Sequence, residues 1–596
     1  MSETATTALP FDPDALREKY RQERDKRLRA EGNEQYVEIT GSFAHYRDDP
    51  YVQPIERPAL FDEVEVVVIG GGHAGLLLGA RLREAGVQEI RMIEKGGDFG
   101  GTWYWNRYPG AACDTEAYIY MPLLEETGYI PTEKYAKAPE IRANCQRIAR
   151  KYDLYRDVLF QTQIAELRWD EQAGTWLVST DRGDRFRAKY VCMANGPLNR
   201  PKLPGVPGIE SFQGHSFHTS RWDYDYTGGD DFGGLTGLSD KRVAIIGTGA
   251  TAVQCVPHVG ASAKQLFLFQ RTPSSIDVRA NRPTDPEWAQ SLQAGWQRHR
   301  MENFSTLTSG GVAEVDLVSD GWTEIIGMLL RRRPDGKSDF AQTLEYADFE
   351  KMEQVRARAE AIVNDPDTAE ALKPYYRQFC KRPCFHDEYL HTFNRPNVTL
   401  VDTQGLGVER ITERGVVANG VEYPVDCIIY ASGFEVGTAM ERRAGYQVYG
   451  RDGLALSEKW RDGVSTLYGM QSRGFPNCFI IGLSQVGTSA NITHVLDVQS
   501  KHVTHIINHA REHEVRTVDV EGEAEEAWVQ KVVNASVASL PFLESCTPGY
   551  YNNEGRPNGE LIRRNGAFAP GIMAFSKILD EWRGEGSLAG LEFSRG

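Results

Sequence analysis

A short apolar strand, a glycine-rich turn and a helix-like segment occur twice in this 596-residue chain, and the repetition leaves few folds open. In the first copy Val64 to Ile69 leads into Gly70-Gly71-Gly72-His73-Ala74-Gly75, and the answering Glu94 stands at the end of Ile90-Arg91-Met92-Ile93. In the second copy Val243 to Ile246 leads into Gly247-Thr248-Gly249-Ala250-Thr251-Ala252, and the run Leu266 to Gln270 ends on Arg271. Glycines at these places let backbone approach a pyrophosphate, and the following helix N-terminus offers it free N–H groups and a favourable dipole. The residue at the end of the second strand selects the nucleotide. A carboxylate, Glu94, suits a free ribose 2'-hydroxyl, whereas a guanidinium, Arg271, suits a 2'-phosphate. The pattern predicts FAD at the first copy and NADPH at the second.

The fold class expected is therefore α/β, with two Rossmann-like dinucleotide-binding domains and a helical insertion in the NADP domain. We expect an N-terminal extension, partly helical, over 1–58; the FAD-binding domain in two parts, 59–205 and 432–596, the latter with a C-terminal region; and the NADP-binding domain in two parts, 206–280 and 379–431. The insertion would occupy 281–378, where Phe349, Met352, Val355, Ala359 and Ile362 recur at helical spacing. Asp14 to Glu31, dense in charge with a thin stripe of Leu16, Tyr20 and Leu28, reads as a surface helix packed on the body.

Composition narrows the partners. With 67 basic against 83 acidic residues, a net charge of −16 argues against nucleic acid and against an anionic membrane surface. The start, Met1-Ser2-Glu3-Thr4, has no basic segment followed by an apolar core, and there is no apolar run of transmembrane length, so a cytoplasmic location is expected. Nine scattered cysteines make no disulfide framework, Cys380 and Cys384 read as two incidental thiols, and no metal site is expected. Disulfide reductases with two dinucleotides carry a cysteine pair just after the first fingerprint. Here Cys113 stands alone, which counts against that chemistry.

Further motifs choose among flavoenzymes. Phe212-x-Gly214-x-x-x-His218-x-x-x-Trp222-Asp223 precedes the second fingerprint, Gly100-Gly101-Thr102-Trp103-Tyr104-Trp105 to Gly110 follows the first, and Ala431-Ser432-Gly433-Phe434 comes later. Together they resemble the Baeyer-Villiger monooxygenases, class B flavoproteins, over about residues 60 to 540. The long N-terminal stretch and the ending Cys546 to Asn553 are similar to members acting on large cyclic or polycyclic ketones.

The resemblance implies an enzyme that uses NADPH and molecular oxygen to insert one oxygen atom beside a ketone carbonyl, giving an ester or lactone, on a bulky cyclic ketone. It implies Arg382 as the catalytic cation, oriented by Asp114, both also touching cofactor. A guanidinium stabilises a flavin-borne peroxide anion without acting as its acid. Flavin contacts implied are Gly70, Gly72, Ala74, Gly75, Glu94, Thr102, Trp103, Tyr104, Trp105, Tyr120 and Ile164. NADPH contacts implied are Gly247, Thr248, Gly249, Ala250, Thr251, Ala252, Val253, Gln254, Arg271, Thr272 and Lys381. Phe212, Gly214, His218, Trp222 and Asp223 would govern domain motion and reduction rather than oxygen transfer.

Two departures limit the transfer. Many relatives have Arg where this chain has Ala112, and many have a late Ser-Trp-Tyr segment where it has Thr547-Pro548-Gly549-Tyr550. Substrate range is therefore not carried over, and the oligomeric state stays open between monomer and homodimer. The alternative enzymatic reading is oxygenation of amines or sulfides by the same flavin; a reading from another class is an NADPH-sensing protein with structural FAD.

Overall fold

Val66, Val67 and Val68 are wholly buried in the strand Glu63–Ile69, and successive residues enter different cores, Val66 and Val68 one and Val67 and Ile69 the other. Burial on both faces calls for a near-continuous β-branched run, which Val66 to Ile69 supply in the second half of the strand. The computed structural model describes residues 10–331, 340–557 and 559–595. Glu63–Ile69 pairs in parallel with Ile90–Ile93 on one side and Arg185–Met193 on the other, so Ile69 lies opposite both Ile93 and Met193. Gly70 thus leaves the sheet at its carboxyl edge beside Glu94 and Ala194, the edge where such sheets bind ligands.

That sheet has eight strands. Its antiparallel flank is Ile164–Asp170, Thr175–Thr180 and Arg185–Met193, and Cys478–Ile480, from late in the chain, pairs in parallel with Arg185–Met193. The long helix Ile492–Glu512 packs on the fingerprint helix His73–Glu84.

The second sheet is parallel throughout, in the order Val398–Asp402, Gln265–Gln270, Arg242–Ile246, Cys427–Tyr430, His215–His218. Ile246 lies opposite Phe269 and Tyr430, which puts Gly247 at the carboxyl edge beside Gln270 and Ala431. Between these strands the chain forms helices Pro286–Ser291, Trp296–Thr308, Gly321–Arg331, Phe340–Ile362 and Pro366–Ala371. Phe349, Met352, Val355 and Ala359 are buried, as the helical spacing predicts.

Two parts differ from expectation. The N-terminal helix is Pro13–Asp25, capped by Asp12, and ends six residues short of the expected Glu31. Tyr36–Glu38 pairs antiparallel with Lys202–Pro204, stitching the extension to the segment between the two sheets. Cys380 is not an incidental thiol. It is bonded to Cys546 across a separation of 166 residues, while Cys384 and six other cysteines are free and buried. Among the described residues no helix is long and apolar enough to cross a membrane, and no cluster of His, Cys, Asp and Glu is placed to hold a metal ion.

Candidate active site

At the first fingerprint the glycines are forced by contact. Gly70 has φ +116°, and a Cβ there would sit 2.4 Å from the Ala194 carbonyl oxygen. A Cβ on Gly75 would sit 1.9 Å from the Gly70 carbonyl oxygen, so helix and strand meet only if residue 75 has no side chain. Gly75→Ala is accordingly expected to yield protein without bound flavin, checked by the visible absorbance of the purified chain; full flavin loading would contradict the contact.

Glu94 accepts hydrogen bonds from the N–H groups of Gly71 (2.6 Å) and Gly96 (2.7 Å), and burial raises its carboxyl above its ordinary value. A cavity opens from this strand edge. Gly70, Gly72, Ala74, Glu94, Thr102, Trp103, Trp105, Tyr120 and Ile164 line it. Trp103 is fixed by donating from Nε1 to the Tyr120 hydroxyl at 3.0 Å. Tyr104 does not line the cavity, because its hydroxyl turns away to donate to Asp49 at 2.6 Å.

Lys95 and Arg221, which the motifs did not single out, are on the wall. Burial first and then Arg221 bring Lys95 down to about 7, and Arg221 lies 3.7 Å over the Trp105 ring. Arg221 stands inside the His218 to Trp222 motif, a clue that was available. His73 also lines the cavity, is pushed down to about 4 by burial, and has a buried Nε2 with no partner. An orphaned imidazole nitrogen and backbone held open by glycine are what a bound polar ligand would satisfy, so the residues fit a flavin dinucleotide.

At the second fingerprint Gly247 has φ +113°, and a Cβ would meet the Ala431 carbonyl oxygen at 2.5 Å. Helix Ala250–Ser262 starts there with Gly249 at its N-cap, leaving the N–H groups of its first turn available to a ligand. Thr248 donates to the Thr272 carbonyl at 2.6 Å, fixing the loop to the next strand end. Ala252 and Val253 face the core. Gln254 is committed elsewhere: its Nε2 donates to the Ala112 carbonyl at 2.9 Å and its Oε1 accepts from the Tyr108 hydroxyl at 2.9 Å. Gln254 therefore ties the second helix to the turn after the first fingerprint, rather than presenting its amide to a ligand. Arg271, Thr272 and Lys381 gather at the strand end. The Thr272 hydroxyl is buried without a partner, and Lys381 donates to the Pro548 carbonyl at 3.0 Å.

The motif from Phe212 to Asp223 forms the seam between the sheets. A Cβ on Gly214 would strike the Phe212 ring at 2.5 Å, and Trp222 is buried with its Nε1 donating to Thr227 at 3.0 Å. Asp223 caps the next helix and meets His215 at 2.9 Å. His218 is fully buried. Its Nδ1 accepts from the Ser220 N–H at 3.1 Å and its Nε2 faces the Gly433 carbonyl at 3.1 Å, so the proton belongs on Nε2. Gly433 also accepts from the Lys202 N–H at 3.0 Å, joining both crossings between the sheets at one carbonyl.

Burial, with help from Arg221, pushes His218 down to about 3. Because its folded value lies below its ordinary 6.5, the contribution of His218 to stability is complete above about 6.5 and is lost as pH falls toward 3. Histidine hydrogen–deuterium exchange read by mass spectrometry should show no inflection for His218 above about pH 4. An inflection near its ordinary value would mean the ring is solvated.

Arg382 Nη1 donates to Asp114 Oδ2 at 2.6 Å, and Arg279 Nη2 lies 3.9 Å from Asp114 Oδ1. Asp114 is 5% exposed, Arg279 10% and Arg382 37%, so Arg382 alone keeps an open face. Burial opposes the charge on Arg382, but the Asp114 carboxylate holds it well above the ordinary value. Trp322, from the helical insertion, donates its Nε1 to the Asp114 carbonyl at 2.9 Å and sets its ring 6.0 Å from the Arg382 guanidinium. His386 accepts from two backbone N–H groups at Nδ1 and is pushed down to about 3 by burial and then by Arg279. Asp114 thus faces two guanidiniums, a second carboxylate, Asp387, is taken up by the backbone N–H groups of Arg279 and Ala280, and Arg382 presents its positive charge at the open face.

Two glycine-held nucleotide edges, together with a half-open arginine paired to a buried aspartate, define a two-dinucleotide oxidoreductase. Residues 64–302, which include both fingerprints, match the family described as pyridine nucleotide-disulphide oxidoreductase. The chain is 56% identical to neopentalenolactone D synthase of Streptomyces avermitilis over 98% of its own length and all of that protein's. It is 49% identical to a Baeyer-Villiger monooxygenase of Streptomyces coelicolor, with 97% of each chain covered. Among solved structures, the polycyclic ketone monooxygenase of Thermothelomyces thermophila superposes with a TM-score of 0.91 at 39% identity, covering 98% of this chain and 99% of that one. The chain belongs to the Baeyer-Villiger monooxygenase family.

Proposed function

We infer that this protein is an FAD-containing, NADPH- and oxygen-dependent monooxygenase that converts a bulky cyclic ketone into an ester or lactone. The observation that carries the reading is the Arg382–Asp114 pair, in which Arg382 keeps an open face and Arg279 backs the carboxylate. The polycyclic ketone named for the solved relative supports the substrate class. We assign FAD binding to 59–205 and 432–596, NADP binding to 206–280 and 379–431, and the site's roof to the insertion at 281–378, through Trp322.

Bound FAD and NADPH would supply hydride transfer and oxygen activation. The chain's own residues set the conditions. Arg382 is a permanent cation and offers no proton at neutral pH, so an oxygen anion beside it stays ionised. With His386 held neutral and Asp114 already accepting from Arg382, neither is placed to protonate that anion. The same charge stabilises the negative tetrahedral adduct that forms when a ketone carbonyl is attacked. Glu94 would accept from a ribose hydroxyl of FAD, and Arg271 with the unpartnered Thr272 hydroxyl would meet the 2'-phosphate of NADPH.

The test is a panel of cyclic ketones, from single rings to fused systems, scored by ketone-stimulated NADPH consumption and by product mass. Lactones from the fused ketones are expected. NADPH consumption that no ketone accelerates, together with turnover of sulfides alone, would overturn the assignment.

A further inference from the structure

The extension of residues 10–58 reaches a place where positive charge is in excess. Arg271 donates from Nη1 to the Gln35 side chain and from Nη2 to the Tyr36 hydroxyl at 3.4 Å, and its carbonyl accepts from Arg27 at 3.0 Å. Arg27 is already paired with Glu23 at 2.7 Å. Arg29 is not so balanced. It donates to the Leu406 carbonyl and has no carboxylate within ion-pair distance among the described residues. A Cβ built on Gly407 would meet Arg29 Nη2 at 3.1 Å and Arg271 Cδ at 3.7 Å, so the two side chains lie against the same turn.

Lys381 and Lys202 complete the group. Lys381 bonds only to a carbonyl, and Lys202 places its ammonium 3.6 Å from the Tyr36 ring centre. Against these four cations stand one buried carboxylate, Glu554, 3.6 Å from Arg271 with an unpartnered oxygen, and the exposed Glu31, which acts on Arg29 from beyond ion-pair distance. Burial and then Arg271 hold Lys381 down to about 8, and burial followed by Arg271 lowers Arg29 as well, so the cations already strain against one another. Two hydroxyls there, on Thr272 and Thr547, are buried and unpartnered. Uncompensated cations with orphaned donors are a site built for a dianion, and a 2'-phosphate carries about two negative charges.

We propose that the N-terminal extension completes the 2'-phosphate site by supplying Arg29, so that preference for the phosphorylated dinucleotide depends on a residue outside both nucleotide-binding sheets. This rests on the reading of Arg271 as the 2'-phosphate residue. Gln35 and Tyr36 hold Arg271 in place from the same segment, leaving the fork of Arg29 to add a charge-assisted contact.

The experiment titrates the FAD-loaded protein calorimetrically with 2',5'-ADP and with 5'-AMP, which read binding without turnover. The wild-type protein should prefer 2',5'-ADP. Arg29→Ala should reduce that preference about tenfold or more, with 5'-AMP affinity unchanged, and Arg29→Lys should retain part of it. Should Arg29→Ala fail to fold, arginine modification of the wild-type protein by phenylglyoxal, mapped by mass spectrometry, decides instead: Arg29 should be shielded by 2',5'-ADP and not by 5'-AMP. Undiminished preference in Arg29→Ala, or equal modification of Arg29 with both probes, overturns the role of the extension, provided Arg271→Ala abolishes the preference. No preference in the wild type, or full preference in Arg271→Ala, overturns the NADPH reading itself.

Discussion

Arg382→Ala is expected to let NADPH oxidation continue while oxygen transfer to ketone falls by about 100- to 1,000-fold, the scale seen when a preorganised charge opposite a developing anion is removed. The substitution does more than subtract a cation. Asp114 would then face the open site, with Arg279 as its remaining partner at 3.9 Å, and the field at the reacting oxygen would turn from attractive to nearly neutral. Oxygen consumed without acceptor should emerge as hydrogen peroxide. Arg382→Lys should fall between, since an ammonium keeps the charge but lacks the fork that can hold Asp114 and still present N–H groups to the site. Product formed per NADPH in a single turnover, with peroxide assayed alongside, gives the result. A product yield equal to wild type in Arg382→Ala would remove this residue from the chemistry and leave Arg279 as the candidate cation.

What the sequence reveals of this site follows from how far each contact reaches along the chain. Gly70 with Glu94 and Gly247 with Arg271 are legible because strand, turn and helix impose fixed offsets, and the register places each answering residue next to its glycine. His218, Trp222 and Arg382 are legible through resemblance alone, since no periodicity marks them. The bonds of Gln254 to Tyr108 and Ala112 are not legible, because its partners stand on a distant turn. The bond from the Tyr104 hydroxyl to Asp49 in the extension is hidden likewise. Arg29, Trp322 and the Cys380–Cys546 bond depend on tertiary contacts across 377, 208 and 166 positions, which leave no local pattern.

Asp114 gives the second large expected effect, on stability. The carboxylate is 5% exposed and stands between two guanidiniums, so Asp114→Ala leaves Arg279 and Arg382 as neighbouring like charges with nothing between them. Breaking one side of a buried pair costs roughly 3–5 kcal/mol, and because more than a third of Arg382 still reaches solvent, about 2–3 kcal/mol is the reasonable expectation here. In thermal unfolding followed by circular dichroism this should appear as a fall of several degrees. Asp114→Asn keeps an acceptor for Arg382 and should lose less. The decisive comparison is the double variant Asp114→Ala with Arg279→Met. If uncompensated charge is the cause, deleting the second guanidinium should restore part of the loss, giving a coupling that two independent defects would not produce. If instead the loss comes from the cavity left by the shortened side chain, the double variant should be less stable than either single one. In that case Arg279 would be packing on the site without sharing its charge, and the net positive field assigned to the open face of Arg382 would have to be carried by Arg382 alone.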